Sequence, residues 1–287
     1  MRLDRLITLR FIWPWLRLRR RAAAPRNRLP ILMYHSISNS AEPGVKPYYR
    51  TVTSPRRFAE QMSWLANAGY RAVTLSEGSE WLHGVSGCSS SKPVVVTFDD
   101  GFSDFATAAV PVLREFRFKA TMFLPTAFIA KGAARLQFNG RDCLTWDEVR
   151  RLQKEGMEFG SHTVSHPKLV KLSWKEVELE VANSKDEIEQ QLGCAVPGFA
   201  YPYAFPQAHV SFAARFGELL RRSGYETCVT TEIGCEKPGG DKYRIKRLPV
   251  NDADDVALLS AKVGGAYDWL AKPQGAAKAV KKILLRR

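Results

Sequence analysis

The stretch Val94-Val95-Val96-Thr97-Phe98-Asp99-Asp100-Gly101-Phe102 decides how this chain is read. Three β-branched apolar residues in a row predict a buried strand. The strand runs directly into two carboxylates and a glycine. A buried strand end is a costly place for charge unless the charge has a partner. Successive side chains on a strand point to opposite faces, so both carboxylates serve one site only where the backbone bends, and Gly101 permits that bend. The natural partner is a metal ion. Gly160-Ser161-His162-Thr163-Val164-Ser165-His166-Pro167, about sixty residues on, supplies two imidazoles.

Working outward, the pattern alternates between strand and helix. Leu29 to Met33 reads as the first strand, with His35 at its end. Ser54-Pro55 is an N-cap followed by a first-turn proline, and Phe58, Met62 and Leu65 follow at helical spacing. Arg71 to Leu75 is a second strand; residues 76–92 hold a short apolar patch at Trp81-Leu82 and a Ser/Gly-rich loop. A helix is predicted from Ser103 to Phe116 and a strand from Lys119 to Leu124. Thr145 with Glu148, and Ser173 with Glu176, make capping boxes for two further helices. Met157 to Gly160 leads into the histidines, Phe199 to Tyr203 is a short strand and turn, and Phe212 to Arg222 is helical. Tyr225 to Thr230 and Tyr243 to Val250 are the last strands. About six or seven such units in one compositional block imply a parallel sheet with helices outside, open or closed. Polar residues fall where strands end, at His35, Asp99, Asp100, His162 and Tyr203, and active sites of parallel α/β folds form there.

Charge divides the chain into three. Of the net charge of +14, residues 1–28 carry +8 and residues 272–287 carry +6, so residues 29–271 balance to zero. A neutral body with two basic tails argues against a nucleic-acid groove within the fold and suits an anionic membrane met by the ends. The apolar run Leu6 to Leu16 is too short to span a bilayer, and most of its charges follow it rather than precede it, unlike a cleaved signal. The location expected is therefore cytoplasmic or peripheral to a membrane. Five cysteines at irregular spacing make neither a disulfide framework nor a structural zinc site.

Asp100, His162 and His166 offer one carboxylate and two imidazoles, a set that suits zinc, with manganese or cobalt as alternatives. Three protein ligands leave room for water and substrate. Asp99 is then the neighbouring carboxylate placed to take a proton from the attacking water, as general base.

Thr97 to Gly101 and Ser161 to Pro167 resemble the first two motifs of the NodB-homology polysaccharide deacetylases, the fourth carbohydrate esterase family. Phe199-Ala200-Tyr201-Pro202-Tyr203-Ala204 is similar to the third. The resemblance covers residues 92–250, and the segment from Ile31 to Leu75 looks like a branch with an added N-terminal strand-helix unit. It implies a distorted (β/α)7-type barrel in residues 29–271 and metal-dependent hydrolysis of N-acetyl groups on N-acetylhexosamine glycans. By position, the backbone N–H of Tyr203 would hold the oxyanion, Pro202 would fix its turn, and Tyr201 would face substrate. Tyr48, Tyr49, Trp146 and Phe205 are further aromatics able to stack on sugars.

Three departures stand out. Ala200 replaces the arginine that positions the base in the family, Ala204 replaces a glycine, and Arg244 to Val250 lacks the late histidine that serves as general acid. His35 or His209 is then the candidate acid, with His83 and Asp252 behind them. The competing readings are a glycan-binding protein that keeps the metal site as scaffold, and a deacylase of a lipid-linked sugar. Oligomeric state is not legible in the sequence.

Overall fold

A computed structural model describes residues 2–20, 28–84, 92–271 and 274. Seven parallel strands close into a barrel in chain order: Ile31–Tyr34, Pro93–Phe98, Thr121–Leu124, Glu158–Ser161, Gly198–Ala200, Thr227–Ile233 and Ile245–Pro249, which pairs back with Ile31–Tyr34. Closure is seen in the register. Ile31 to Tyr34 lie opposite Val95 to Phe98 on one side, and Leu32 and Met33 opposite Leu248 and Pro249 on the other. An eighth strand, Arg71–Val73, pairs with the first half of Pro93–Phe98 along the edge whose second half pairs with Thr121–Leu124. That sharing distorts the barrel.

Strand alternation sorts the side chains into two cores. Leu29, Ile31, Val95, Phe123, Ala200, Val229 and Ile245 fill the lumen. Leu32, Tyr34, Val94, Val96 and Phe98 face outward, where they pack with Phe58, Met62 and Leu65 of the helix Pro55–Asn67 and with other helical residues. The lumen is tight: a Cβ on Gly160 would lie 2.6 Å from the Phe123 ring. By the same alternation Thr97 and Asp99 follow Val95 inward, and Arg247 follows Ile245.

The predicted caps are present. Ser54 accepts from Arg57 N–H, and both capping boxes close around Trp146–Lys154 and Trp174–Leu192. Two segments differ from the sequence reading. Residues 75–83 form a helix with its own capping box, Thr74 with Glu77, where a loop with an apolar patch was expected. The segment Ser103 to Phe116 opens with a π turn over Phe105–Ala109 before the α-helix Val110–Glu115. The Ser/Gly-rich loop lies largely outside the described residues, as does nearly all of the basic C-terminal tail. No disulfide joins the four described cysteines, and no described helix is long and apolar enough to cross a membrane.

The N-terminal segment, expected as a tail, is helical from Leu3 to Arg20 and docked on residues 254–269, which follow the last barrel strand. Arg2 Nη1 donates to buried Asp254 at 2.8 Å, and Arg5 makes two 2.7 Å bonds to Asp255. Asp254 also receives buried Lys262 at 2.9 Å. Removing one partner of a buried ionic cluster leaves the other charges uncompensated. Asp254→Ala should therefore lower unfolding stability by roughly 3–5 kcal/mol. Urea denaturation measures it; an unchanged midpoint would mean that the cluster contributes nothing net.

Candidate active site

The C-terminal ends of the strands converge on a cavity of about 270 Å³ lined by His35, Asp99, Asp100, His162, His166, Tyr201 and Tyr203 among others. Asp100 reaches it by backbone distortion. Its φ is 74°, and Gly101 follows at 67°, so the bend expected at the glycine begins at the aspartate itself. Thr163 (69°), His166 (55°) and Tyr203 (57°) are likewise left-handed. Such a conformation is costly for residues with a Cβ and persists only where the surroundings enforce it.

The surroundings do enforce it in the histidine loop. Glu180 of the helix Trp174–Leu192 accepts from the N–H groups of Val164 and Ser165 at 2.8 and 2.9 Å and from the Ser165 hydroxyl at 2.6 Å. Thr163 Oγ1 accepts from His166 N–H at 3.0 Å. The His166 ring lies between Phe138 and Tyr203, with centroids at 5.0 and 4.6 Å. Phe138 comes from a two-stranded hairpin with an Asn139-Gly140 tip, an element the sequence reading did not contain.

Asp100, His162 and His166 present donor atoms to one point. His166 Nε2 lies 3.1 Å from His162 Nε2 and 3.4 Å from Asp100 Oδ1, and His162 Nε2 lies 3.7 Å from that same oxygen. His162 Nδ1 is 2.7 Å from the Ala200 carbonyl. A carbonyl only accepts, so Nδ1 carries the proton and Nε2 presents its lone pair. Burial, together with His162, pushes His166 down to about 3 and keeps it neutral. Burial raises the Asp100 carboxyl. Three buried acceptors facing one another call for a cation. Tetrahedral ligands at about 2.0–2.1 Å from zinc stand roughly 3.3 Å apart, which these separations fit. The Ala200 carbonyl supplies the outer contact that orients a metal-binding imidazole.

Asp99 has a different partner. Arg247 is fully buried and donates to both oxygens of Asp99 at 2.7 Å, to Thr97 Oγ1 at 3.2 Å and, through Nε, to the Thr230 carbonyl at 3.0 Å. Burial alone would raise the Asp99 carboxyl. The Arg247 charge and hydrogen bonds, with His162 nearby, hold it instead well below the usual carboxylate range. Arg247 thus reaches Asp99 from another strand, while Ala200 offers no side chain able to do so. The signal for it in the sequence is an arginine at an inward position of the strand Ile245–Pro249.

The other predicted residues separate. His35 lines the cavity and makes no hydrogen bond among the described residues. His209 is exposed at the start of the helix Val210–Arg222, away from the cavity lining, which removes the geometric case for it as the acid. His83 is exposed and bonded through Nδ1 to the Ser79 carbonyl at 2.8 Å. Asp252 accepts from Ser54 and lines a neighbouring groove instead. Trp146 and Phe205 are core residues, which removes them as sugar platforms, and Tyr49 is exposed. The buried Tyr201 hydroxyl has no partner among the described residues and borders the cavity. No described acceptor takes the Tyr203 N–H, while the Tyr203 carbonyl accepts from Thr231 Oγ1 at 3.2 Å.

A closed seven-stranded parallel barrel with a carboxylate and two imidazoles at its mouth defines a class, and comparison with known proteins places the chain within it. Residues 86–226 match the family model described as polysaccharide deacetylase. A Bacillus subtilis protein named as a polysaccharide deacetylase, YxkH, is 30% identical over 241 residues, covering 84% of this chain and 76% of the relative. A Staphylococcus aureus poly-beta-1,6-N-acetyl-D-glucosamine N-deacetylase is 22% identical over 208 residues, 69% of this chain and 68% of its own. Among solved structures, the Streptococcus pyogenes deacetylase PplD aligns with a TM-score of 0.69 at 26% identity, covering 82% of this chain and 98% of that one. IcaB from Ammonifex degensii aligns at 0.68 and 26%, covering 83% and 97%. The chain belongs to the polysaccharide deacetylase family.

If Arg247 positions Asp99, Arg247→Lys should lose the two-pronged hydrogen bond and keep the charge. It should lower turnover at least about tenfold, and Arg247→Met more, with bound metal unchanged in both. Steady-state kinetics beside elemental analysis checks this. Arg247→Met at wild-type rate would remove the role.

Proposed function

We propose that this protein removes N-acetyl groups from N-acetylhexosamine residues of a polysaccharide, using a divalent metal ion held by Asp100, His162 and His166. The observation that carries the reading is the juxtaposition of two differently built carboxylates. One faces two imidazoles, and the other is locked anionic by a buried arginine. Such a division suits one group for holding a cation and the other for accepting a proton. The names of the S. aureus and E. coli relatives, poly-beta-1,6-N-acetyl-D-glucosamine N-deacetylases, support an amino-sugar polymer as substrate. The E. coli match spans only 21% of that relative.

When bound, the metal polarises the acetyl carbonyl and lowers the pKa of the water, so that a weak base suffices; zinc is the first choice for this donor set. In this reading Asp99 accepts the proton of the attacking water, whose oxygen adds to the acetyl carbon. The Tyr203 N–H steadies the oxygen that gains charge, a task for a backbone donor fixed in place before reaction. Pro202 holds that turn and Tyr201 faces the sugar. The C–N bond then breaks, acetate leaves, and His35 protonates the amine; its ring nitrogens, bonded to nothing else described, are open to do so.

Acetate release from N-acetylated glycans, with and without added metal, tests the activity. His162→Ala and His166→Ala should lose metal and activity together. Asp99→Asn should retain metal and lose turnover, because an amide takes no proton; an Asp99→Asn protein near the wild-type rate would sink the base assignment.

His35→Ala should lower turnover at least about a hundredfold with metal still bound, the lower end of general acid catalysis. Full activity in His35→Ala would exclude His35 as the acid.

A further inference from the structure

The N-terminal helix has two unlike faces. Its inner face is fixed to residues 254–269. Besides the Arg2 and Arg5 ion pairs, Thr8 is buried and accepts from Trp269 Nε1 at 3.1 Å, and the Tyr267 hydroxyl donates to Asp4 at 2.5 Å. The Trp13 ring lies against Gly264, where an added Cβ would come within 2.3 Å of it. Its outer face carries Leu3, Leu6, Phe11, Trp15 and Leu18, exposed by 63%, 40%, 65%, 51% and 71%.

These residues share a side because the helix is not a plain α-helix. At 3.6 residues per turn the five would spread over about half the circumference. Residues Thr8–Ile12 instead form a π turn, whose wider winding rotates Phe11, Trp15 and Leu18 back toward Leu3 and Leu6. The result is an apolar stripe with the exposed arginines Arg10 and Arg17 on the same helix. The one acid in residues 2–20, Asp4, is turned inward onto Arg2 and Tyr267.

We propose that this stripe is the surface by which the enzyme lies on an anionic membrane. An apolar face flanked by cations, with no outward acid, is the pattern of a helix that lies in the lipid interface. The charge argues against a second copy of the chain, or the chain's own C-terminal segment, as what covers the stripe. A second copy would bring the same arginines together, and the C-terminal residues 272–287 add six more cations. Because the inner face is pinned by ion pairs, the membrane would hold the whole barrel in one orientation. A chain of contacts links the start of the helix to the cavity wall: Asp254 accepts from both Arg2 and Asn251 N–H, and the Asn251 amide holds the carbonyls of Pro47 and Arg50, next to Thr51. The inference stands apart from the chemistry proposed for the site.

The test is co-sedimentation of the full chain with phosphatidylcholine vesicles, with and without about 30% phosphatidylglycerol, at low and high salt. The protein should bind the anionic vesicles, and added salt should weaken binding. Phe11→Ser with Leu18→Ser should lower the affinity at least about tenfold. Arg10→Gln with Arg17→Gln should lower it about fivefold per charge. Both variants should keep the wild-type melting temperature and acetate release from a soluble glycan. Equal binding to vesicles without phosphatidylglycerol, unaltered binding by both variants, or a dimer that Phe11→Ser with Leu18→Ser dissociates would overturn the proposal. Loss of acetate release in the wild type would count against the proposed activity and leave vesicle binding to be judged on its own.

Discussion

The buried pair of Asp99 and Arg247 is the interaction on which the rest of the site depends. Two charges taken out of water are expensive unless each is fully hydrogen-bonded. Here the guanidinium reaches both oxygens of Asp99, the Thr97 hydroxyl and the Thr230 carbonyl, joining three strands of the barrel across its lumen. The pair closes the apolar lumen above Phe123, whose ring centre is 5.9 Å from the guanidinium carbon. It also gives the two adjacent carboxylates different partners. With Asp99 committed to Arg247, Asp100 is left to the imidazoles.

The backbone carries the second half of that separation. Strand alternation would send Asp99 and Asp100 to opposite faces. The left-handed turn at Asp100 and Gly101 brings the second carboxylate back to the mouth of the barrel. Left-handed residues recur at Thr163, His166 and Tyr203, on the loops that complete the cavity. The enforcing contacts are identifiable: Glu180 under the histidine loop, Thr163 Oγ1 on His166 N–H, and Phe138 against the His166 ring. The distortion is held by packing from outside the loops and not by the loops themselves.

Much of this was legible in the chain before any coordinates. The apolar run ending in Asp99-Asp100, the capping boxes at Thr145 and Ser173 and the paired histidines are local signals, and local signals survive folding. The donors converge as expected because all three lie just past strand ends. What was not legible depends on pairing between distant strands. Arg247 meets Asp99 only because the last strand closes onto the first, and an isolated arginine in a strand does not announce which lumen position it faces. The hairpin that brings Phe138 against His166 has strands of two residues, too short for periodicity to register. The N-terminal helix looked like a tail because its arginines suggested solvent, whereas Arg2 and Arg5 find Asp254 and Asp255 some 250 residues away. The Leu75–His83 helix was missed although Thr74 and Glu77 spell its capping box.

The central claim is that the two adjacent carboxylates do different work, one holding the ion and the other held by Arg247. A crystal structure of the zinc-loaded protein, with the ion located by anomalous scattering at the zinc edge, tests it most directly. The account predicts a single ion bonded to one oxygen of Asp100 and to Nε2 of both His162 and His166, with Asp99 outside bonding distance and still paired with Arg247. An ion bonded to Asp99, or one found away from the two histidines, would contradict it.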